Sequence, residues 1–348
     1  MSNNIGWCDC TINPVVGCTK CSPGCENCYA EKFAHRMSRN PQTWQKYAGV
    51  VDANGKWTGK VNVTLDAKTM PHRVPGKNKR VFVGSMSDLF HPNVSDATRD
   101  VIFASILGDH IVGNGHGHTF MILTKRAEEM CNYFTLTPPD ELLHRWGEAG
   151  DEWLTLEGET SFSEYLESHL SYYKWKTFWP LPNLWAGVTV CNQEEADSKI
   201  HFLLATPAAR RFLSVEPMLG PIALGDISVC AACGSWTGLK YPRIGTPFCE
   251  DCGADPVTTK PGIDWIICGG ESGPEARPMH PDWVRRLRDQ CANAGVPFYF
   301  KGWGGTKKTP ACWAAGNGGS FPSNSRIIRR SGNRHERGKD ATVPGLRE

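Results

Sequence analysis

A chain of 348 residues, 40% of them hydrophobic, is long enough to bury a full core and fits either two ordinary domains or one large α/β barrel. It contains no uninterrupted apolar run of about 18 residues, which excludes a conventional membrane-spanning helix, and the opening Met1-Ser2-Asn3-Asn4-Ile5 lacks the basic and apolar regions of a secretion signal, so a cytoplasmic protein is expected. The formal net charge of +2 excludes a strong global pull toward nucleic acid, so any such partner has to be met by a local basic surface.

In chain order, a weak strand is expected at 5–7 and a cysteine-rich loop follows at 17–30. A second weak strand falls at 60–65, and stronger β-branched or aromatic runs lie at 81–84, 119–123, 184–188, 211–215, 264–268 and 297–300. Helical stretches separate them at 96–107, 193–205 and 281–294, the last with Trp283, Leu287 and Cys291 four residues apart on one face. Strand alternating with helix predicts a parallel α/β fold, and about eight strands suit a complete or partial (β/α) barrel. The barrel is expected over 1–303, with two insertions. One, 136–182, is Trp-rich and partly helical, and the other, 226–262, is cysteine-rich and zinc-ribbon-like. From 304 to 348 runs a basic Gly/Ser/Arg-rich tail with nine Lys or Arg against three Asp or Glu.

In parallel α/β folds chemistry gathers where strands end. The expected strand ends carry Ser85, Ser87 and Asp88, then Thr124, Lys125 and Arg126, then Thr189 and Asn192, then Glu216, Glu271 and Lys301.

A reducing compartment disfavours disulfides, so clustered thiols point to metal ligands or catalysts, and eight of the fifteen cysteines fall in two tight clusters. The first packs Cys18, Cys21, Cys25 and Cys28 into eleven residues with glycine and proline between them. Such a loop can wrap either zinc or an iron–sulfur cluster, because thiolates are soft ligands and turn-forming residues let several sulfurs converge. In the second, Cys230-x2-Cys233 is followed after fifteen residues by Cys249-x2-Cys252, with Gly234 and Gly253 just after each pair. That spacing is typical of a zinc ribbon, in which two knuckles complete a closed tetrahedral Zn²⁺ site of structural type.

Cys21-x3-Cys25-x2-Cys28 resembles the cluster loop of the radical S-adenosylmethionine superfamily, although Asn27 stands where an aromatic residue usually precedes the last cysteine and Tyr29 follows it instead. Along almost the whole chain, the sequence is also similar to a phage and prophage family of radical S-adenosylmethionine-like proteins of largely unassigned function. The similarity is carried by Asn13-Pro14 through Ala30, Gly84 through Phe90, Leu123-Thr124-Lys125-Arg126, Ser214-Val215-Glu216-Pro217, Gly269 through Pro274 and Phe300 through Gly304. In that family the loop more usually reads Cys-x6-Cys-x2-Cys, which assigns Cys18, Cys25 and Cys28 to a [4Fe-4S] cluster with Cys21 as the alternative to Cys18.

The resemblance implies that the cluster binds the methionine end of S-adenosylmethionine. It offers Ser85, Ser87 and Asp88 for the cofactor's amino group, Lys125 or Arg126 for its carboxylate, and Thr189, Asn192 and Glu216 for the ribose. Glu271, Ser272, Lys301 and Trp303 are expected on the substrate side, while Tyr299, His91 and His280 are candidates for proton transfer. The implied enzyme rearranges or links a carbon centre of phage DNA or a modified thymidine and draws electrons from a donor such as flavodoxin or ferredoxin. The basic tail would supply phosphate contacts. At the second cysteine cluster, the resemblance adds an auxiliary iron–sulfur cluster as the rival to zinc. Two other functions compete: a zinc-stabilised protein that binds nucleic acid or another partner without radical chemistry, and a pyrimidine photoproduct repair lyase.

Overall fold

The computed structural model describes residues 5–111, 117–154, 161–170, 178–225, 227–235, 239–240, 246, 248–255 and 258–305. The expected basic tail, apart from its first two residues, therefore lies outside the described residues.

The strands are β1 (Cys10–Ile12), β2 (Val15–Val16), β3 (Asn62–Val63), β4 (Arg80–Val83), β5 (Thr119–Thr124), β6 (Leu184–Thr189), β7 (Arg210–Val215), β8 (Ser228–Cys230), β9 (Leu239–Lys240), β10 (Phe248–Cys249), β11 (Thr259–Pro261), β12 (Trp265–Gly269) and β13 (Phe298–Gly302). The helices are α1 (Tyr29–Ser38), α2 (Asp96–Ile111), α3 (Ala127–Thr135), α4 (Pro139–Gly150), α5 (Phe162–Leu170), α6 (Gln193–Ala205) and α7 (Pro281–Asn293). Seven strands form one parallel sheet in the order β1-β4-β5-β6-β7-β12-β13. Their spatial order follows their chain order, which winds the sheet in one direction as a partial barrel. Its two edges, β1 and β13, are not paired with each other among the described residues.

Side-chain alternation assigns each face its job. On the convex face Val81, Val83, Phe120, Ile122, Leu213, Val215, Ile266 and Cys268 pack with Ile102 and Phe103 of α2, Leu203 of α6 and Val284 and Leu287 of α7 in the main core. On the concave face Phe82, Met121, Phe212, Trp265 and Ile267 form a second apolar cluster around Trp7. The Trp7 ring lies 4.9 Å from Phe82 and 6.2 Å from Phe212. Two residues farther along the same strands, the concave positions become Gly84, Ser214, Gly269 and Lys301, and another step reaches Glu216 and Glu271. An apolar floor thus gives way to a polar rim at the carboxyl ends of the strands.

The weak strand expected at 5–7 does not form. Instead Trp7 and Cys8 are spent filling the concave floor, and β1 begins only at Cys10. The other weak strand shrinks to Asn62–Val63 and pairs antiparallel with Val15–Val16 outside the main sheet, so the sheet has seven strands rather than about eight. The Asn62 side chain is committed to the carbonyls of Lys46 and Ala48, each 3.0 Å away, which ties this segment to a surface loop. In the insertion expected at 136–182, α4 packs against α2 and α5 against α4, which adds an outer helical layer. No helix of the described residues is long and apolar enough to cross a membrane.

Gly187 marks a tight place in the sheet, because a Cβ there would lie 2.3 Å from the Phe212 ring. Gly187→Ala is expected to cost about 1–3 kcal/mol through overpacking, read as a lower urea midpoint with an unchanged slope. Adding Phe212→Leu should recover part of that loss, and an additive double variant would show that the ring is not the obstacle.

Candidate functional site

At the carboxyl ends of the strands lies a cavity of about 420 Å³. One wall is the cysteine loop, with Cys18, Cys21, Cys25 and Cys28, and the floor includes Trp7, Phe82 and Leu123. The remaining lining brings together Ser85, Ser87, Asp88, Lys125, Arg126, Thr189, Ser214, Glu216, Glu271, Ser272 and Lys301, which come from six different strand ends.

The loop is held open on this cavity by three attachments. Ser22 caps a short 3₁₀ turn, Pro23–Cys25, by accepting from the Gly24 N–H, and Cys28 stands at the N-cap of α1. Arg126 forms the second attachment. It pairs with Asp88 at 3.1 Å and also donates to the Thr19 carbonyl at 3.2 Å, to Thr19 Oγ1 at 2.8 Å and to Cys18 Sγ at 3.8 Å. Asp88 accepts as well from Thr124 Oγ1 at 2.7 Å and from the backbone N–H groups of Phe90 and Lys125. His91 supports the same knot: its Nδ1 accepts from the Asn93 N–H, which leaves the proton on Nε2, 3.0 Å from Thr19 Oγ1. Burial, reinforced by the Arg126 charge, holds the pKa of this imidazole below its usual range.

Arg277 forms the third attachment. It donates to both oxygens of Glu271 at 2.6 and 2.9 Å, to Glu26 at 2.8 Å and to the Pro23 carbonyl at 2.9 Å. Asn27 completes the contact by donating to Glu271 at 3.0 Å. Burial works against the Glu271 charge, yet the side chain and backbone N–H of Arg277 together with Asn27 hold its carboxyl down at about 2.

Within the loop, burial pushes the Cys18 thiol up to about 11. A hydrogen bond from Cys21 lowers the Cys25 thiol below the ordinary thiol range and leaves the shared proton on Cys21. Lys125 is half-buried, and desolvation opposes its charge, but Cys25, Cys28 and Asp88 around it raise its pKa above that of a free lysine. Glu216 and Lys301, from the ends of β7 and β13, form an ion pair of 2.9 Å on the rim. Three residues that line the cavity each carry a buried polar atom with no hydrogen-bond partner among the described residues: Trp7 Nε1, Ser87 Oγ and Ser214 Oγ. Unsatisfied buried groups are rare in folded proteins and cluster here beside the cavity.

The structure thus divides the residues singled out from sequence. Ser87, Lys125, Thr189, Glu216 and Lys301 present themselves to the cavity. Ser85 lines it too, with its hydroxyl donated to Asn13 Oδ1 at 3.1 Å. Asp88, Arg126 and Glu271 also reach the cavity, but as braces for the cysteine loop whose bonding capacity is largely used. Asn192 is not part of the lining; its side chain caps α6 by accepting from the Glu195 N–H. Tyr299 lies one step below the rim, with its ring 6.1 Å from Trp265 and its hydroxyl against Gly6, so it belongs to the floor cluster instead of the cavity wall. His280 caps α7. Arg277 and Ser214 were missed. Ser214 had a visible signal, a hydroxyl at concave parity between the apolar Leu213 and Val215, whereas Arg277 had none.

In the second cluster Cys230 and Cys252 sulfurs lie 3.7 Å apart, Cys233 and Cys249 sulfurs 3.6 Å apart, and all four fall within 4.8 Å of one another, so the group could hold a metal ion. It is the only such group among the described residues.

A family model described as a protein of unknown function, DUF5131, matches residues 2–342. No curated protein and no solved structure matches the chain.

Because the Glu271 carboxyl is depressed by its partners, its contribution to stability is complete above the ordinary carboxyl range near pH 4 and is lost as pH falls toward about 2. Arg277→Ala should therefore cost roughly 3 kcal/mol at neutral pH, and the gap to the parent should narrow below about pH 4. Denaturant unfolding of both proteins at pH 7 and pH 3 checks this. A gap of equal size at both values would remove the ion pair as its source.

Proposed function

We propose that this chain, which belongs to the DUF5131 family and inherits no assigned function from it, is a radical S-adenosylmethionine enzyme with a [4Fe-4S] cluster on Cys18, Cys25 and Cys28. The observation that carries this reading is the meeting, in a single cavity of about 420 Å³, of a four-thiol loop with strand-end polar groups, beside three orphaned buried polar atoms. A cavity of this size suits a nucleoside-sized occupant.

When bound, the cluster supplies one electron to the cofactor's sulfonium and so a 5′-deoxyadenosyl radical able to take hydrogen from a carbon. The chain's own residues bind and orient. Lys125 offers the cofactor carboxylate a half-buried cation, and Ser87, Ser214 and Trp7 supply polar side chains beside it. Glu216 and Lys301, already paired, can hold hydroxyl or amide groups at the rim without net charge. The apolar floor of Trp7, Phe82 and Leu123 keeps water from a reactive intermediate. Asp88, Arg126 and Arg277 keep the cysteine loop in place over that floor.

For the substrate we favour a DNA base or modified thymidine. Tyr29, at the cavity, and Phe33, one turn farther along α1, are exposed aromatic rings, and Arg36 sits 4.8 Å over the Phe33 ring. Such rings can stack a base that has left its duplex, which it must do to reach a walled cavity. An electron donor such as flavodoxin or ferredoxin completes the reading.

Anaerobic reconstitution with iron and sulfide should give a brown protein with about four irons per chain that releases 5′-deoxyadenosine from S-adenosylmethionine under reduction. Cys25→Ala and Cys28→Ala should each abolish iron binding. Cys18→Ala should lose iron while Cys21→Ala keeps most of it, and the reverse order would move the first ligand to Cys21. A protein that stays colourless and releases no 5′-deoxyadenosine would overturn the proposal.

A further inference from the structure

The chain between β7 and β12 leaves the barrel as a small ribbon, and its four cysteines take no part in the cavity. We propose that Cys230, Cys233, Cys249 and Cys252 bind one zinc ion as four thiolates, and that this closed site folds the ribbon as a unit separate from the barrel.

The sulfur spacing argues for a single ion. A tetrahedral ion with metal–sulfur bonds of about 2.3 Å places its sulfurs about 3.8 Å apart, since a tetrahedron's edge is roughly 1.6 times its centre-to-vertex distance. The Cys230–Cys252 and Cys233–Cys249 pairs, at 3.7 and 3.6 Å, come within a few tenths of an ångström of that edge. A four-iron cube with one thiolate on each iron has to hold its sulfurs farther apart, so the same spacing disfavours an auxiliary cluster.

The backbone is shaped for the same end. Each pair is followed by a glycine at positive φ, Gly234 at 76° and Gly253 at 74°, whose N–H returns to the carbonyl of the first cysteine at 2.8 and 2.9 Å. Four protons leave when four thiols become ligands. With all four positions taken by protein, the ion has no open site for substrate, which makes it structural.

Among the described residues the ribbon is rooted by its stalk. β8 pairs antiparallel with β11, the Gly262 N–H donates to the Ile227 carbonyl at 2.7 Å, and Ile227, Val229 and Ile263 belong to the main core. Beyond the stalk β9 and β10 are two residues each, and the described ties across them are surface contacts such as Lys240 with Glu250, so metal ligation is the strong interaction left to close the ribbon.

This inference does not rest on the cluster assignment, and its test keeps the two apart. The full-length protein, purified without added metal or chelator, should contain about one zinc per chain, and Co²⁺ in its place should give the intense visible bands of a tetrahedral thiolate site. Cys252→Ser, at an exposed ligand, and Cys249→Ser should each bring zinc near zero while iron at the N-terminal loop stays at the parent level. Chelator treatment of the parent should open 227–262 to protease and leave the barrel fragments intact. A parent without zinc and without Co²⁺ bands would overturn the site. Loss of iron in the two variants would reassign it as an auxiliary cluster.

Discussion

The buried pair of Asp88 and Arg126 is the contact on which the arrangement of the cavity depends. Each side chain is only 7% exposed, so the pair is stripped of water, and bringing two charges into such a place costs several kcal/mol per ion before they attract one another. What offsets the cost is that most of the bonding capacity of both charges is used. Asp88 receives a hydroxyl and two amides besides the guanidinium, and Arg126 donates further to Thr19 and Cys18. The same set of bonds joins the end of β4, the end of β5 and the start of the cysteine loop. The pair therefore ties the position of the thiols to the sheet.

Arg277 repeats this solution from the opposite side of the loop, with Glu271 in the place of Asp88. Between the two braces the loop's irregular backbone is fixed at both ends, which lets glycine and proline at its centre aim sulfurs without a regular element beneath them. Ligand geometry of this kind rests on the residues around the ligands as much as on the ligands themselves.

The parallel order of the strands was legible because buried β-branched runs alternate with amphipathic helices, and the ends of those runs indicated Ser87, Lys125, Glu216 and Lys301 without any structure. Parity along a strand is also written in sequence, and applied to Phe212-Leu213-Ser214 it marks the serine as facing the same side as the phenylalanine. The weak strand at 5–7 misled because Trp7 is apolar for a different reason, as filling for the concave floor. Tyr299 misled likewise, since a phenol near a strand end resembles a proton donor until its height above the floor is known. Arg277 was illegible in principle: its partners, Glu26 and Pro23, lie about 250 residues away, and no periodicity connects two loops. The ribbon cysteines were the opposite case, because a ligand set confined to one short segment carries its geometry in its spacing.

The unpaired edges of the sheet have a further consequence. In a closed barrel the number of strands and their stagger fix the circumference, and everything that enters must pass through an end. Here β1 and β13 are not paired with each other among the described residues, and at floor level the Tyr299 hydroxyl packs close against the Gly6 backbone. Side chains yield more readily than a ladder of backbone hydrogen bonds, so the width of this open sheet is set by packing instead of by strand count.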